Sequence, residues 1–351
     1  MHIDNKKGVS MSAEIYGDDL AVYAQTAWHG KGITYGHLLS VNEYAENPWQ
    51  FQANRQELYV QDMIDGEIIY TPVSEWDVNN GFVIRRDDNG FPLNVGVTEG
   101  RGITQYDEMD AAVEKLLDHG FSAGVASKGT LNHGRKAYVT LEMGSPLKIE
   151  GYSDIHKYFT LTDAHDGTIA ASGRPTIGVV VCSNTFAAYV LGVQASWSIK
   201  HTRHATSYLQ WAIDSFVEAA KLQQHLDEQV ERLINESYTA GNFGDLTRSL
   251  LGQRPEDEGR SQTSWDKTFD KITARYYHDD LDGGIRETKW GALMAVQGYE
   301  QHVQQVRGGS KEGRHLDRLL FGTMPLTDRA ARQLVLSGPA AEELPVGIFT
   351  E

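Results

Sequence analysis

Three short stretches of this chain place chemically capable residue types close together. The first is Asp163-Ala164-His165-Asp166-Gly167. Two carboxylates and an imidazole within four residues can hold a metal or move protons. The same residues are also good turn formers whose side chains cap local amides. A structural turn and a polar or catalytic site therefore both stand. The second stretch surrounds Cys182. With His165 and Asp163 nearby in the chain, its thiol could act as a nucleophile. It also ends the apolar run Ile177, Val179, Val180, Val181, where a buried cysteine behaves as a small hydrophobe. The structural role is the expected one. Asn184 follows this run and precedes Phe186-Ala187-Ala188-Tyr189. It is expected to cap a helix there, with a part in the polar site as the alternative. The third stretch is Lys200, His201, Thr202, Arg203 and His204. Cations and a hydroxyl at the start of a helix make a natural phosphate-binding corner. Together with Arg174 these are the expected nucleic-acid contacts. The plainer alternative is a solvated connection.

Fainter patterns have simpler readings. His278-Asp279-Asp280 and Asp282, then Glu287-Thr288-Lys289, loosely follow a nuclease pattern of an acid and then Glu-x-Lys. An acidic first turn of a helix explains them better. Gly308 to Gly313 has the glycines of a phosphate loop without its strand and helix, and reads as a linker. Trp28, beside His29, and Trp290 are read as packed aromatic anchors.

These residues need a scaffold, and the composition allows one. The chain has 351 residues, 40% of them hydrophobic, with seven Trp and sixteen Tyr. That is enough to bury a core despite a net charge of −16. No apolar run approaches the roughly 20 residues that span a membrane. The first twelve residues are polar, unlike a signal peptide. One cysteine excludes an internal disulfide framework and a multi-cysteine zinc site. No metal and no cofactor are expected, no membrane partner, and a cytoplasmic location.

Charge is uneven along the chain. Residues 1–150 hold 22 acidic and 12 basic side chains, residues 151–210 hold 3 and 4, and residues 211–351 hold 23 and 16. Phosphates would be repelled over most of the surface. The middle sixty residues are where an anion would dock.

Alternating and turn-forming residues predict strands at 67–72, 81–86 and 91–97, the last two joined by the turn Asp87 to Gly90. A helix is predicted over 104–118, then strands at 121–127, 135–142, 158–162 and 176–182, with the last two as neighbours in one sheet. The best-defined helix is Thr206 to Ile234. Its stripe of Leu209, Ile213, Phe216 and Ala220 continues in Leu222, Leu226, Val230 and Leu233 with a small phase shift. A short helix over 246–251, an exposed loop over 254–264, and helices over 265–277, 289–306 and 316–336 complete the pattern. The expected fold class is α+β: a strand-rich part, 1–203, with a mixed or antiparallel sheet, then a helical part, 204–351, able to pack on the sheet as one unit.

Several motifs resemble those of one family. Leu161-Thr162-Asp163-Ala164-His165-Asp166-Gly167 is similar to its LTNSHDG signature, Val179 to Phe186 to VRVVCxNTL, and Ile199-Lys200-His201-Thr202 to IRHT. Ala27 to Gly32 resembles an N-terminal AWHGLG, the helix from Trp290 to Tyr299 a WALYNAVTEY, and Leu319 to Gly322 a closing LFG. The chain is thereby identified as a member of the phage/plasmid-like protein family, a domain-of-unknown-function family of phages, prophages and plasmids. The resemblance spans nearly the whole chain. Two departures are Asp163-Ala164 in place of Asn-Ser, and Gly178 in place of a basic residue. The second weakens any case that the strand itself holds phosphate.

The resemblance implies a mobile-element gene of unsettled biochemistry in a bacterial host, often near replication or recombination functions, with single-strand annealing as a recurring suspicion. The functional expectation is a protein of phage DNA metabolism. It binds or anneals single-stranded DNA as a homo-oligomer, alongside host or phage replication and recombination proteins. Two alternatives stay open. One is an enzyme, a metal-dependent nuclease or a thiol-dependent modifier, built on the Asp/His turn. The other is an acidic factor that binds a host protein.

Overall fold

A computed structural model describes residues 21–23, 33–40, 43, 49–120, 122, 124–150, 154–179, 184–187, 197–199, 208–221, 223–256, 258–277, 284–304 and 324–337. The fold is α+β, with antiparallel sheets first and a mostly helical part after them. In chain order the strands are β1 (Ala21–Tyr23), β2 (Ile33–Thr34), β3 (Ala53–Glu57), β4 (Tyr59–Ile64), β5 (Glu67–Pro72), β6 (Phe82–Arg86) and β7 (Pro92–Val97). Helix α1 (Asp107–Asp118) precedes β8 (Gly124–Leu131), β9 (Lys136–Glu142), β10 (Ile155–Ala164), β11 (Ala171–Val179), β12 (Asn184–Ala187) and β13 (Trp197–Ile199). Then come α2 (Tyr208–Lys221), α3 (Gln223–Asn235), α4 (Ala240–Leu251), α5 (Arg260–Tyr276), α6 (Lys289–Gly298) and α7 (Met324–Ser337).

The largest sheet runs β12-β11-β10-β9-β8-β1-β2, with β13 also on β11. Its β8 to β12 segment is a meander of antiparallel neighbours. Only the β1–β2 pair is parallel among the described strands. The two strands expected as neighbours do pair: Tyr158 lies opposite Thr176 and Thr162 opposite Ser172. A second sheet is β3-β6-β7, and β4 and β5 form a separate hairpin.

β10 organises the interior, because side chains two residues apart share a face. Ile155, Lys157, Phe159 and Leu161 point one way. Phe159 meets Phe216 of α2 edge-on at 5.2 Å between centroids. Phe159 and Leu161 pack with Met109, Ala112, Val113 and Leu116 of α1. Ile155 instead joins a second core, built by α3 to α7 around Trp290. Lys157 reaches Asp227 of α3 at 2.8 Å. The opposite face of the strand is polar: the hydroxyls of Thr140, Thr160 and Thr176 lie 3.2 and 3.3 Å apart across three strands.

The phase shift along the predicted 206–234 helix now has a cause. The helical residues fall into α2 and α3, on either side of residue 222. Phe216 and Ala219 enter the sheet core, whereas Leu226, Val230 and Leu233 enter the helical core. The apolar stripe turns because its target changes.

Four expectations are corrected. Residues 260–264 are the start of α5 and not loop, since Arg254 folds back to grip Asp266 at 2.6 and 2.7 Å. Asn184 caps no helix. It is the first residue of β12, paired with Val179, because ladder bonds to β11 override the local capping preference. Asp163 and Ala164 are not in the turn but complete β10, opposite Ala137 and Lys136. Finally, α6 ends at Gly298 and passes into a single wider π turn, Tyr299–Val303, after which the Gln304 N–H donates to the Tyr299 carbonyl at 2.8 Å.

Buried tyrosines make the fold sensitive to alkali. Burial pushes the phenol of Tyr238 up to about 12, and those of Tyr276 and Tyr158 higher still. An unfolded tyrosine ionises near pH 10. Above that pH the unfolded chain sheds protons that the folded chain keeps, so stability falls as pH rises. The expected outcome is cooperative loss of far-UV circular dichroism between about pH 10 and 12, coincident with phenolate absorbance near 295 nm. Tyrosines that titrate fully while the helical signal stays intact would contradict it.

Candidate functional site

The Asp/His stretch divides at the end of β10. Asp163 is fully buried, and its Oδ1 accepts the Ala164 N–H at 2.6 Å. His165 is 3% exposed, with its ring stacked on Tyr106 at 4.3 Å between centroids. Its backbone N–H donates to the Arg135 carbonyl at 2.8 Å. Its own carbonyl accepts from Asn94 Nδ2 at 2.9 Å and Arg101 Nη2 at 3.2 Å. This residue therefore ties strand β7, the segment around Arg101 and the turn before β9 together. Asp166 closes the turn by accepting the Thr168 N–H at 2.9 Å and hydroxyl at 2.6 Å.

Of the three titratable residues in the stretch, Asp166 is the one that reaches open space. With Gly167 it lines a cavity of about 560 Å³, shared with Asn79, Asn94, Thr98 and Arg101. Gly167 has φ +80°, and a Cβ there would stand 3.1 Å from Arg101 Nη1. The left-handed glycine lets the guanidinium come close. Burial pushes the Arg101 pKa down, and Asp166 and Asp163 pull it back. An arginine keeps its charge under such opposing effects.

More cations gather at this end of the sheet. Arg55 donates to the Arg101 carbonyl. Arg135 donates to the Pro92 carbonyl at 3.2 and 3.3 Å and lies 5.2 Å over the Phe91 ring. Arg86 bonds the His133 carbonyl at 3.1 Å, while Asp88 grips its other nitrogens at 2.7 and 2.9 Å. Lys136 stands opposite Ala164. Five cationic residues thus gather around Asp88, Asp163 and Asp166, on a chain that is acidic elsewhere.

β13 leads to the same place. It runs antiparallel to β11 and ends with Ile199 opposite Ala171, the first residue after the Asp166 turn and its tail. Lys200, His201, Thr202, Arg203 and His204 come next in the sequence and lie outside the described residues, as do Cys182 and Trp28. Arg174 is described: it is half-buried on β11, opposite Thr160 on the hydroxyl-bearing face and away from the turn. Trp290 is fully buried in the helical core.

Sequence reasoning missed Arg101, Arg135 and Asn94. Arg101 carried one signal, its place between Gly100 and Gly102. Arg135 and Asn94 carried none, because Arg135 reaches His165 through the β9–β10 register and Asn94 through packing of the second sheet against the first. Among the described residues no group of three His, Cys, Asp or Glu side chains is arranged to hold a metal. No described helix is long and apolar enough to cross a membrane.

A family model described as "Domain of unknown function (DUF932)" matches residues 97–320. No curated protein and no solved structure matches the chain.

Proposed function

The chain belongs to the DUF932 family, and from that premise we propose a cytoplasmic protein of phage or plasmid DNA metabolism that binds or anneals single-stranded DNA as an oligomer. One observation supports this reading above the others. β13 ends at Ile199, opposite Ala171. The sheet end where β13 stops already holds Arg101 and Arg135, and the basic stretch Lys200 to His204 follows Ile199 in the sequence. On a chain of net charge −16, this is where phosphates meet least repulsion. Arg135 and His133 flank the Phe91 ring, a pairing of cation and aromatic suited to a strand with unstacked bases.

Asp163 and His165, on which a catalytic alternative would draw, are buried at the end of β10, which favours the binding reading. A few phosphate contacts give weak binding per protomer, so several protomers on one strand would supply the affinity.

The test is binding of a fluorescent single-stranded oligonucleotide at several salt concentrations. The variants are Lys200→Glu with Arg203→Glu, and separately Arg135→Glu. Wild type should bind at low salt. Every phosphate that a variant no longer neutralises should reduce the slope of log affinity against log salt by about 0.7. The paired variant should bind at least about tenfold more weakly, or roughly 1.4 kcal/mol. Wild-type binding should also strengthen below about pH 6.5, as His201 and His204 charge. No binding by wild type at low salt, or unchanged binding by both variants, would overturn the reading.

A further inference from the structure

The β4–β5 hairpin projects with both faces in solvent. Every residue of β4 and the first four of β5 are exposed. A two-stranded hairpin standing alone is marginally stable in water, and this much apolar surface on one calls for a partner.

The register sorts its side chains into two unlike faces. Tyr59 pairs with Pro72, Gln61 with Tyr70, and Met63 with Ile68. These six share one face, and none is charged. Four are large and open: Tyr59 is 52% exposed, Met63 74%, Ile68 53% and Tyr70 61%. The other face carries Asp62 and Glu67 among Val60, Ile64, Ile69 and Thr71, and Asp65 sits at the tip with φ 53°. Residues 58–78 hold five acidic side chains and no lysine or arginine.

That arrangement selects the occupant. A nucleic acid or an anionic lipid surface would meet the carboxylates. A basic protein would be drawn to the acidic face and the tip, leaving the uncharged face open. What fits the uncharged face is another apolar face whose own charges point away, and a second copy supplies one. We infer that the Tyr59–Met63–Ile68–Tyr70 face packs against the same face of a second copy of this chain, about a two-fold axis. In such a self-matched contact each patch meets itself, and the carboxylates of both hairpins stay on the outside. The four large side chains expose on the order of 500 Å². Two copies would remove roughly 1,000 Å² from water, near the lower bound for a specific interface. The contact is therefore a modest dimer, strengthened when both copies sit on one ligand.

This inference rests on the DNA-binding reading only for the dimer's use, and its test contains no DNA. The full chain is sedimented to equilibrium at loading concentrations from about 1 to 100 µM, the range that resolves a micromolar dissociation constant. Wild type should pass from monomer to dimer across that range. Met63→Glu with Tyr70→Glu puts like charges on the two-fold face and should leave monomer throughout. Ile69→Glu, on the opposite face, should dimerise like wild type. The inference is overturned if wild type stays monomeric, if the paired variant still dimerises, or if Ile69→Glu dissociates the dimer as well. None of these outcomes bears on whether oligonucleotide binds at Arg135 and Lys200.

Discussion

Replacing Asp110 by Asn should destabilise the fold by about 3–5 kcal/mol, although Asp110 sits on a helix with its side chain 15% exposed. Its partner explains the size. The Lys128 side chain has no exposure, and its ammonium lies 2.6 and 2.7 Å from the two Asp110 oxygens. It also lies 4.0 Å over the Trp49 ring, whose indole N–H donates to the Gly129 carbonyl at 3.3 Å. Burial pushes the Lys128 pKa down, against the upward pull of Asp110. Without the carboxylate, burial outweighs the Trp49 ring that still favours the charge, and the cheapest response is for Lys128 to fold as a neutral amine. Removing its proton at pH 7 costs about 1.4 kcal/mol for each unit below its ordinary pKa near 10.4, which caps the loss near 5 kcal/mol. The sign of the pH dependence follows. The unfolded lysine binds a proton that the folded variant does not, so stability rises with pH. Urea unfolding should therefore find the deficit of the variant shrinking by about 1.4 kcal/mol per pH unit between pH 7 and 9. Asp110→Leu with Lys128→Met, which removes both charges, should recover most of the loss. A deficit below about 1 kcal/mol in Asp110→Asn would refute a buried, coupled pair.

The second large effect is expected at Trp290. Replacing it by Ala should cost about 3–5 kcal/mol, the range for emptying a large aromatic site. Trp290 is fully buried, and every residue of α6 from Trp290 to Gly298 is buried too. A helix covered on all sides has no solvent face through which the cavity could collapse or fill. The loss should lower a single unfolding transition. Ile155 on β10 belongs to the helical core while Phe159, four residues on, belongs to the sheet core, so damage to one core reaches the other through one strand. Thermal unfolding followed by circular dichroism and by tryptophan fluorescence should give coincident curves. Two separated transitions in the variant would show that the sheet and the helices unfold independently.

Lys128 also marks where sequence reading stops. The ends of several elements are plain: β5 occupies Glu67–Pro72 as its alternating residues predict, and α1 ends at Asp118 before His119-Gly120. These are local facts of period and turn chemistry. Lys128 faces inward for a non-local reason. A register shift between Val125 and Ser127 inserts one residue against β9. After the bulge Lys128 points to the same side as Val125, toward α1, whereas strict alternation would turn it away. No residue type at 125–127 announces that shift. The candidate site is legible in the same partial way. The Asp163 to Gly167 stretch and the basic Lys200 to His204 stretch stand out by composition. That His165 is spent on tying Asn94, Arg101 and Arg135 together depends on the β9–β10 pairing and on two side chains reaching across from the other sheet and its following loop, all far apart in the chain. Asn184 fails for a related reason: its capping chemistry is local, and the ladder that recruits it is not.

The order of strands in the large sheet has a consequence for how the chain assembles. From β8 to β12 each strand neighbours the one made just before it, so every pairing closes a short loop and costs little chain entropy. Emerging from a ribosome at about 5–20 residues per second, each strand finds its template already waiting. The far side of the sheet is different. β1 lies beside β8, with Val22 opposite Lys128, so β1 must wait for about a hundred residues before this partner exists, the kind of non-local pairing that slows folding. The meander is the natural nucleus, and the amino-terminal strands are late additions to an edge that the meander presents.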